Sequence, residues 1–570
     1  MAALPDPAQL APRRLPNLWD AVAVACVFAA LAALGHVARG TLVPLDAAEA
    51  LAVSLDPLHL PLYAARTTLR MVAALAASLI FTFTYATWAA KSPRAARLLI
   101  PLLDILQSVP ILGFLSFTVV FFMSLFPGKV LGAELAAIFA VFTSQAWNMA
   151  FSLYQSLTTI PSELEEAASS FRLTAWQRFW RLEVPFAVPG LVWNTMLSMS
   201  GGWFFVVASE AVSVGDTTWK LPGIGSYVAL ALEKRDTAAV LWAILAMGLV
   251  ILAYDQLLFR PLVAWSGKFR YETAVASAEA EDPWLLVLLR QTRVLRVASE
   301  ALGAAFARLG GLRLLPVRAR RRGGAAKDTL WLVASLLAVI IGLGWTGRFL
   351  RPILSPAEIA TCVELGLLTL ARVLVVVAVS CLLWVPIGVR IGLHPRWARR
   401  VQPAAQFMAA FPANLLFPLV VMLIVRFDLL ADVWLTPLML LGTQWYILFN
   451  VIAGAAALPA ELKEVAANFG LRGLLWWRRL ILPGILPYLI TGTITASGAA
   501  WNASIVTEVA SWGTTKLVAH GLGAYIAAAS DAGDMRKLVL GIAVMSAFVV
   551  LFNRALWRPL YDYTSRRATF

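Results

Sequence analysis

Four charged residues lie inside long apolar stretches of this chain, where a charge is expected either to be paired or to have a function. They are two arginines and two glutamates, Arg70, Glu210, Arg372 and Glu508. A charged side chain in apolar surroundings is costly, so such residues are usually paired or functional. Two interpretations follow: buried ion pairs that tie apolar segments together, or arginines that assist the passage of an anion. We favour the ion pairs.

The composition places these charges in a membrane protein. The chain has 570 residues, of which 60% are hydrophobic and only 14% charged, with a mean hydropathy of +0.77. Many apolar runs approach the ~20 residues that cross a bilayer as a helix, which satisfies its own backbone groups. We therefore predict an all-α membrane protein that contacts the lipid bilayer. The net charge of +15 fits Lys and Arg in cytoplasmic loops, so nucleic acid is not an expected partner.

We predict twelve apolar segments to be transmembrane helices. They cover 19–37, 66–89, 100–126, 131–157, 184–209, 238–259, 329–346, 366–389, 403–426, 433–457, 483–507 and 537–557. The exits of the even-numbered segments are rich in Lys and Arg, which predicts that these exits and both termini are cytoplasmic. The four charges then lie near the outer ends of their segments at similar depth. This predicts Arg70–Glu210 and Arg372–Glu508 contacts.

The last six segments repeat the first six. Trp147 matches Trp445 at an offset of 298 residues, and Arg70 matches Arg372 at an upstream offset of 302. Because six segments separate the copies, the repeats have parallel topology, with an expected two-fold axis along the membrane normal. The predicted regions are a first repeat at 1–260, a basic cytoplasmic linker at 261–328 and a second repeat at 329–570.

The linker is the most basic region of the chain. Its arginines include Arg318, Arg320, Arg321 and Arg322, and the stretch 284–309 has helical periodicity. Two interpretations stay open for this region. It is a solvated cytoplasmic tether, or part of it is a helix that lies on the membrane surface.

One short amphipathic stretch occurs once in each repeat, at 161–185 and at 459–483. In the first copy, residues at steps of three and four share one face of a helix. That face comprises Glu163, Glu166, Ala167 and Phe171. The alanine allows close approach of a partner, the phenylalanine offers an apolar anchor, and acidic residues suit the start of a helix. An ordinary interfacial helix is the alternative, but two copies in register favour two identical docking events.

These stretches resemble the EAA motif of bacterial ABC importer permeases, which runs Glu-Ala-Ala, three residues, Gly, nine residues, then Ile-x-Leu-Pro. The first copy has Glu166-Ala167-Ala168, Arg172 in the glycine position, and Leu182-x-Val184-Pro185. The second copy has Glu464-Val465-Ala466, Gly470, and Leu480-x-Leu482-Pro483. Both copies keep the spacing. The departures are Arg172 for Gly and Val465 for Ala.

The resemblance implies a type I ABC importer permease fold, with two parallel repeats of six helices. It also implies that each stretch is a coupling helix in a groove of a separate ATP-binding subunit. The residues expected to contact that subunit are Glu163, Glu166, Ala167, Ala168, Phe171 and Arg172, and Glu461, Glu464, Val465, Ala466, Phe469 and Gly470. Two coupling helices imply two ATP-binding subunits per chain. The family further implies a periplasmic solute-binding protein that delivers the solute.

The flanking pattern is similar to the nitrate/sulfonate/bicarbonate branch of these permeases, and in particular to components that fuse two permeases in one chain. Its marks are Thr68-Leu69-Arg70, Thr369-x-x-Arg372, Pro110 and Pro412, and Glu210 and Glu508 ahead of Gly-x-Gly-x-Tyr. The similarity implies a multi-pass protein of the bacterial inner membrane. The solute expected by this analogy is a small anion.

A translocation path is expected where the two repeats face each other. Candidate lining residues are Gln107, Ser108, Asn148, Trp203, Asn502 and Ser504. Packing within the core is the alternative for each of them. Gln107 and Ser108 are of most interest because the matching residues of the second repeat are Ala409 and Ala410. With this asymmetry, the first repeat would contact the solute through polar side chains, and the second would only shape the wall of the path.

The chain lacks the residues for hydrolysing ATP itself. It contains no Gly-x-x-x-x-Gly-Lys-Ser/Thr phosphate loop, so we expect no enzyme and no bound cofactor, with ATP and Mg²⁺ used by a partner subunit. Cys26, Cys362 and Cys381 have neither metal-site nor disulfide spacing. The competing class is an ion-gradient-driven, twelve-helix secondary transporter. It would need an ionisable relay, yet the middles of the segments are nearly free of Asp and Glu.

Overall fold

The computed structural model describes residues 53–214, 217–269, 293–312, 325–353, 355–512, 515–557 and 559–560. The predicted first segment at 19–37 and parts of the linker lie outside the described residues. Most of the described residues are α-helical. The described residues fall into two compact units: one contains those of 159–193 and 253–321, and the other contains those of 53–158, 194–252 and 322–560.

The described part of the chain has eight helical stretches that are long and apolar enough to cross a membrane, or up to ten if each of two bent helix pairs is one span. The eight are Pro57–Lys91, Leu131–Thr158, Ala175–Ser209, Thr237–Phe269, Pro356–Gly392, Ala431–Ala456, Gly473–Thr507 and Met535–Trp557. Each overlaps a segment predicted from the sequence. The all-α, multi-pass membrane fold is therefore confirmed.

The first repeat contains ten described helices and one hairpin. They are α1 (Leu60–Lys91), α2 (Pro93–Ser108), α3 (Ile111–Leu125), α4 (Leu131–Thr158), α5 (Ser162–Ser170), α6 (Ala175–Arg178), α7 (Val184–Ser209), β1 (Ala211–Val214), β2 (Thr217–Lys220), α8 (Ile224–Glu233), α9 (Thr237–Tyr254) and α10 (Arg260–Ser266). Five-residue π-helical turns join α6 to α7 and α9 to α10. Helix α11 (Arg293–Gly311) lies in the linker and overlaps the stretch 284–309, whose periodicity is helical.

The second repeat follows the same order. Its elements are α12 (Ala325–Leu350), α13 (Pro356–Gly392), α14 (Pro395–Ala410), α15 (Phe417–Arg426), α16 (Ala431–Trp434), α17 (Thr436–Ala456), α18 (Ala460–Asn468), α19 (Gly473–Trp476), α20 (Leu482–Thr507), β3 (Val509–Trp512), β4 (Thr515–Val518), α21 (Leu522–Asp531) and α22 (Met535–Phe552). Helix α1 packs along α4, and α13 packs along α17. Small side chains on the buried face of α1, such as Ala74, Ser78 and Ala86, allow this close approach.

Two segments that the sequence predicts as single helices are broken, so that part of the prediction is wrong. The segment 100–126 bends by 100° between α2 and α3, and the segment 403–426 bends by 71° between α14 and α15. Each break lies before a proline, Pro110 or Pro412. The preceding Val109 and Phe411 are extended, because a proline ring disfavours helical backbone in the residue before it.

Two short antiparallel hairpins also interrupt the all-α pattern. Strand β1 pairs with β2, and β3 pairs with β4, at matching positions of the two repeats. The sequence signal was a pair of turn residues, Gly215-Asp216, between β-branched and aromatic residues. Each hairpin is anchored through the carbonyl of a buried glutamate: Leu221 N–H donates to Glu210 O at 2.8 Å, and Ala519 N–H to Glu508 O at 2.8 Å.

Candidate functional sites

A charged group in the first repeat, which we call the first charge cluster, consists of Thr67, Arg70, Glu134 and Glu210. Arg70 donates from Nε and Nη2 to the two oxygens of Glu134 at 2.5 and 2.7 Å, and from Nη1 to Glu210 Oε1 at 2.6 Å. One guanidinium thus serves two carboxylates. Such forked, charge-assisted bonds are strong and fix geometry.

The Glu210 carboxylate has further donors around it. It accepts from Thr67 Oγ1 at 2.7 Å and from the Gly225 backbone N–H at 2.6 Å. Gly225 lies in the first turn of α8, where free backbone N–H groups suit an anion. A Cβ at Gly223 would overlap the Glu210 carboxylate. The short Gly-x-Gly segment is therefore what lets the backbone close over this buried charge.

The second charge cluster occupies the matching positions of the second repeat and consists of Thr369, Arg372, Asp432 and Glu508. Arg372 Nη1 donates to Glu508 Oε1 at 3.1 Å and Nη2 to Asp432 Oδ1 at 3.0 Å. Glu508 accepts from Thr369 Oγ1 at 2.8 Å. Asp432 also lies 3.0 Å from Nδ1 of the exposed His520. Both arginine–glutamate contacts that the sequence suggests are present, each within one repeat.

Sequence reasoning missed the second carboxylate of each cluster. Glu134 lies in the first turn of the predicted segment 131–157, and Asp432 lies one residue before the predicted segment 433–457, so neither is a charge deep inside a predicted span. The repeat itself held the signal, since Glu134 matches Asp432 at the offset of 298 residues. Two acidic residues at matching positions of a duplicated chain were the available clue.

The two halves contact each other at the broken segments. Asn502 Oδ1 in α20 accepts from the Ile111 N–H, which opens α3, at 2.7 Å. In the opposite direction, Asn414 Nδ2 donates to the Phe204 carbonyl in α7 at 3.1 Å. Phe204 and Asn502 match at the offset of 298 residues. The break in each half thus meets the same position of the other half, as parallel repeats about one axis require.

The predicted path residues fall into different environments. Trp203 and Ser504 are fully buried, and Ser504 donates to the Trp501 carbonyl in its own helix. Asn148 is exposed and donates to Ser198 Oγ at 3.0 Å. Gln107 is exposed near the end of α2, and the side chain of Ser108 lies outside the described part. Asn502 bonds to the other half, through the Ile111 N–H described above.

The amphipathic stretch 161–185, which we name the first coupling stretch after the role that its resemblance implies, begins with helix α5 after Pro161. Glu163, Glu166, Ala167 and Phe171 are exposed on it, whereas Ala168 is buried. Arg172 ends the helix in the left-handed region with φ 50°, and Leu173 N–H donates back to the Ala168 carbonyl at 3.2 Å. This is the turn that normally favours glycine. Arg178 pairs with Glu165 and Glu183 beneath it.

The second coupling stretch, 459–483, has the same form. Helix α18 exposes Glu461, Glu464, Val465 and Phe469, and it buries Ala466. Gly470 has φ 62°, and Leu471 N–H donates to the Ala466 carbonyl at 2.9 Å. An arginine and a glycine therefore make the same turn in the two copies. Each stretch presents acidic groups and one phenylalanine on an unburied face.

Two repeats of membrane helices, each with such an exposed amphipathic stretch, define a duplicated membrane transport component. The profile of the family "Binding-protein-dependent transport system inner membrane component" matches residues 80–259 and 384–567. The chain belongs to this family and contains its unit twice. The duplicated permease that the EAA-type stretches suggest is thereby confirmed.

Several characterised permeases are similar to parts of the chain. Glycine betaine/carnitine transport permease protein GbuB of Listeria monocytogenes is 29% identical over 175 residues, 30% of this chain and 55% of that protein. Bicarbonate transport system permease protein CmpB of Synechococcus elongatus is 23% identical over 186 residues, 33% of this chain and 64% of that protein. Nitrate import permease protein NrtB of Leptolyngbya laminosa is 28% identical over 109 residues, 19% and 37% of the two chains. Each match covers less than two thirds of the relative.

Proposed function

We propose that this chain forms the whole transmembrane part of an ATP-driven importer, with one ATP-binding subunit docked at each coupling stretch. The observation that carries the proposal is the pair of coupling stretches, which expose the same acidic and phenylalanine face in both repeats. An exposed phenylalanine beside small residues is a suitable anchor for a groove. ATP and Mg²⁺ would be bound by the partner subunits.

The solute is proposed to be a small anion that crosses between the two halves, delivered by a periplasmic solute-binding protein. The names of relatives include bicarbonate and nitrate permeases, which support an anion, and also glycine betaine permeases. The two arginines are engaged by carboxylates in both clusters. We therefore propose them as structural ties and place solute contacts at the half-to-half contact around Asn502.

The proposal includes a location and an orientation. The chain would lie in the inner membrane of a bacterium with both termini cytoplasmic, as the Lys and Arg distribution predicts. Both coupling stretches would then face the ATP-containing side. Glu233 and Asp531, which are matching residues paired with Lys220 and Lys516, would face the opposite side.

Gentle affinity purification with intact-mass stoichiometry tests this proposal. The tagged chain should retain two ATP-binding subunits, and Glu166→Lys with Glu464→Lys should release both, because reversed charge opposes the docking face. The matched control is Glu233→Lys with Asp531→Lys, which makes the same charge change at matching exposed positions and should retain them. A chain that purifies alone and transports without ATP would instead be a gradient-driven transporter.

Solute identity needs a separate measurement. The complete complex and its binding protein, reconstituted in proteoliposomes, should take up a small anion when ATP is supplied on the coupling side. Nitrate, bicarbonate and glycine betaine are compared in the same vesicles. Uptake of glycine betaine without uptake of either anion would contradict the anion assignment and leave the importer assignment intact.

A further inference from the structure

The linker helix α11 ends against the exit of the first coupling stretch. Trp176 Nε1 donates to the Leu309 carbonyl at 2.7 Å, and Gln177 Nε2 donates to the Gly311 carbonyl at 2.9 Å. The last carbonyls of a helix have no partner within it. Two side chains of the coupling stretch therefore bond to the end of α11, where the Leu309 carbonyl also accepts from the Leu312 N–H at 3.3 Å.

Within the described part of the chain, this arrangement is found in the first repeat. The residues that match Trp176 and Gln177 are Leu474 and Leu475, whose side chains have no donor. Both leucines are exposed. The second coupling stretch therefore lacks the two side-chain donors that bind the end of α11.

The composition of the linker helix and its surroundings identifies what it can bind. Phe306 and Leu309 are three residues apart, which places them on one side of a helix. Phe306 and Leu309 are exposed. Between residues 284 and 327 the sequence has ten Lys or Arg and one Asp or Glu. An apolar side within a strongly basic segment is typical of helices that lie on anionic lipid.

The contact with the coupling stretch also sets the level of α11. Trp176 and Gln177 are the second and third residues of the candidate span Ala175–Ser209. The end of α11 is therefore held beside residues that lie about two helical turns before the predicted span 184–209, and we expect lipid headgroups near this level.

We propose that α11 binds the anionic surface of the bilayer through its Phe306 side, and that its bonds to Trp176 and Gln177 transmit this binding to the first coupling stretch. Anionic lipid would then favour the arrangement in which the coupling stretch is braced, since a ligand shifts an equilibrium toward the state it binds better. The transmission rests on the proposed function, whereas the lipid contact does not.

The lipid contact is tested with the full chain in proteoliposomes. In a background with Cys26, Cys362 and Cys381 changed to Ala, Phe306→Cys and Val297→Cys carry the same fluorophore. The two positions are equally exposed, at 65% and 64%, yet nine residues apart, so they lie on roughly opposite sides of the helix. Brominated phosphatidylglycerol should quench the label at 306 and spare that at 297.

Three results would overturn the lipid contact: equal quenching at both positions, no quenching at either, or quenching that is unchanged with brominated phosphatidylcholine alone. Protection of the label at 306 by the ATP-binding subunit in detergent, without any lipid effect, would identify that subunit as the occupant instead. Hydrogen exchange of α11 in the unmodified chain provides a check that needs no variant, with slower exchange expected in phosphatidylglycerol.

The transmission is tested by Trp176→Leu with Gln177→Leu, which gives the first repeat the residues of the second. Phosphatidylglycerol should change the ATP hydrolysis rate of the native complex, and this lipid dependence should be lost in the variant while quenching at 306 remains. A variant that keeps the full lipid dependence would refute transmission. A complex that never hydrolyses ATP in any lipid would refute the proposed function, whatever the quenching shows.

Discussion

The first and second charge clusters occupy matching positions of the two repeats but hold their arginines differently. In the first, Arg70 is enclosed with Glu134, whose side chain is only 4% exposed. In the second, Arg372 reaches Asp432, whose side chain is 48% exposed. The shared partners keep similar bonds, because Glu210 and Glu508 both accept from a threonine and from the start of a helix.

The difference shows that a duplicated chain can keep the same arginine–glutamate–threonine bonds in both repeats while the exposure of the second carboxylate changes. Aspartate is one methylene shorter than glutamate, and the Asp432 carboxylate bonds Arg372 through one oxygen where the Glu134 carboxylate uses two. Arg372 Nε instead donates to the Asp432 backbone carbonyl at 3.3 Å. His520 stands where the first repeat has Pro222 and donates its backbone N–H to Asp432 at 2.7 Å. The first cluster is a buried ion network, whereas the second includes a half-exposed carboxylate.

Removing the arginines should expose this difference most strongly. Arg70→Met leaves Glu134 and Glu210 buried without their cation, and it should destabilise the chain by about 3–5 kcal/mol. Arg372→Met should cost less, since Asp432 remains hydrated. Thermal unfolding in detergent measures both, with the lower midpoint expected for Arg70→Met. Equal midpoints would mean that the two clusters are equally dry.

Neutralising the second carboxylate gives the next largest contrast. Glu134→Gln loses charge-assisted bonds in a buried site, at a cost of about 1.5–3 kcal/mol. Asp432→Asn weakens a partly exposed pair and should cost only about 0–1 kcal/mol. The Asp432 contribution should also fall as salt is added, because exposed charges are screened. A salt-sensitive Glu134 contribution would contradict the burial of the first cluster.

The glycines in the helix turns beside Glu210 and Glu508 test whether the two repeats share the same backbone packing. A Cβ at Gly225 would overlap the Val207 carbonyl, and one at Gly523 would lie 2.5 Å from the Ser504 carbonyl. Either alanine should cost about 1–3 kcal/mol through overpacking, by a similar amount in both repeats. Gly498→Ala is the control, because nothing lies within 4 Å of its Cβ position. Unequal losses at 225 and 523 would show that the backbones differ too.

The smallest expected effect concerns the turns of the two coupling stretches. Arg172 and Gly470 have φ values of 50° and 62°, a region that costs a residue with a Cβ about 1–2 kcal/mol. Gly470→Ala should therefore lower the unfolding midpoint slightly, and Arg172→Gly should leave it unchanged or raise it. Affinity for the ATP-binding subunit is measured in parallel. A loss of stability on Arg172→Gly would show that the arginine side chain supports the turn.

Several features could be predicted because they depend on local pattern or on the repeat. The lengths of the apolar runs predict the spans. The offset between the repeats shows that Arg70 corresponds to Arg372 and that the two amphipathic stretches correspond to each other. The arginine–glutamate contacts were predictable from the similar depth of these residues in the membrane, because opposite charges in an apolar layer are more stable as a pair. The breaks at Pro110 and Pro412 had a local signal in the prolines, but the predicted span length overrode it.

The sequence by itself determined that this protein is a membrane-embedded duplication with two like amphipathic stretches, because helical periodicity, hydropathy and repetition are properties of neighbouring residues. The tertiary structure decided which partner each charge takes, how wet each cluster is, and which helix contacts the first coupling stretch. Arg70 lies 64 residues from Glu134, and Trp176 lies 133 residues from Leu309. Contacts at such separations depend on how helices pack, and small differences such as Glu134 for Asp432 change that packing without changing the pattern.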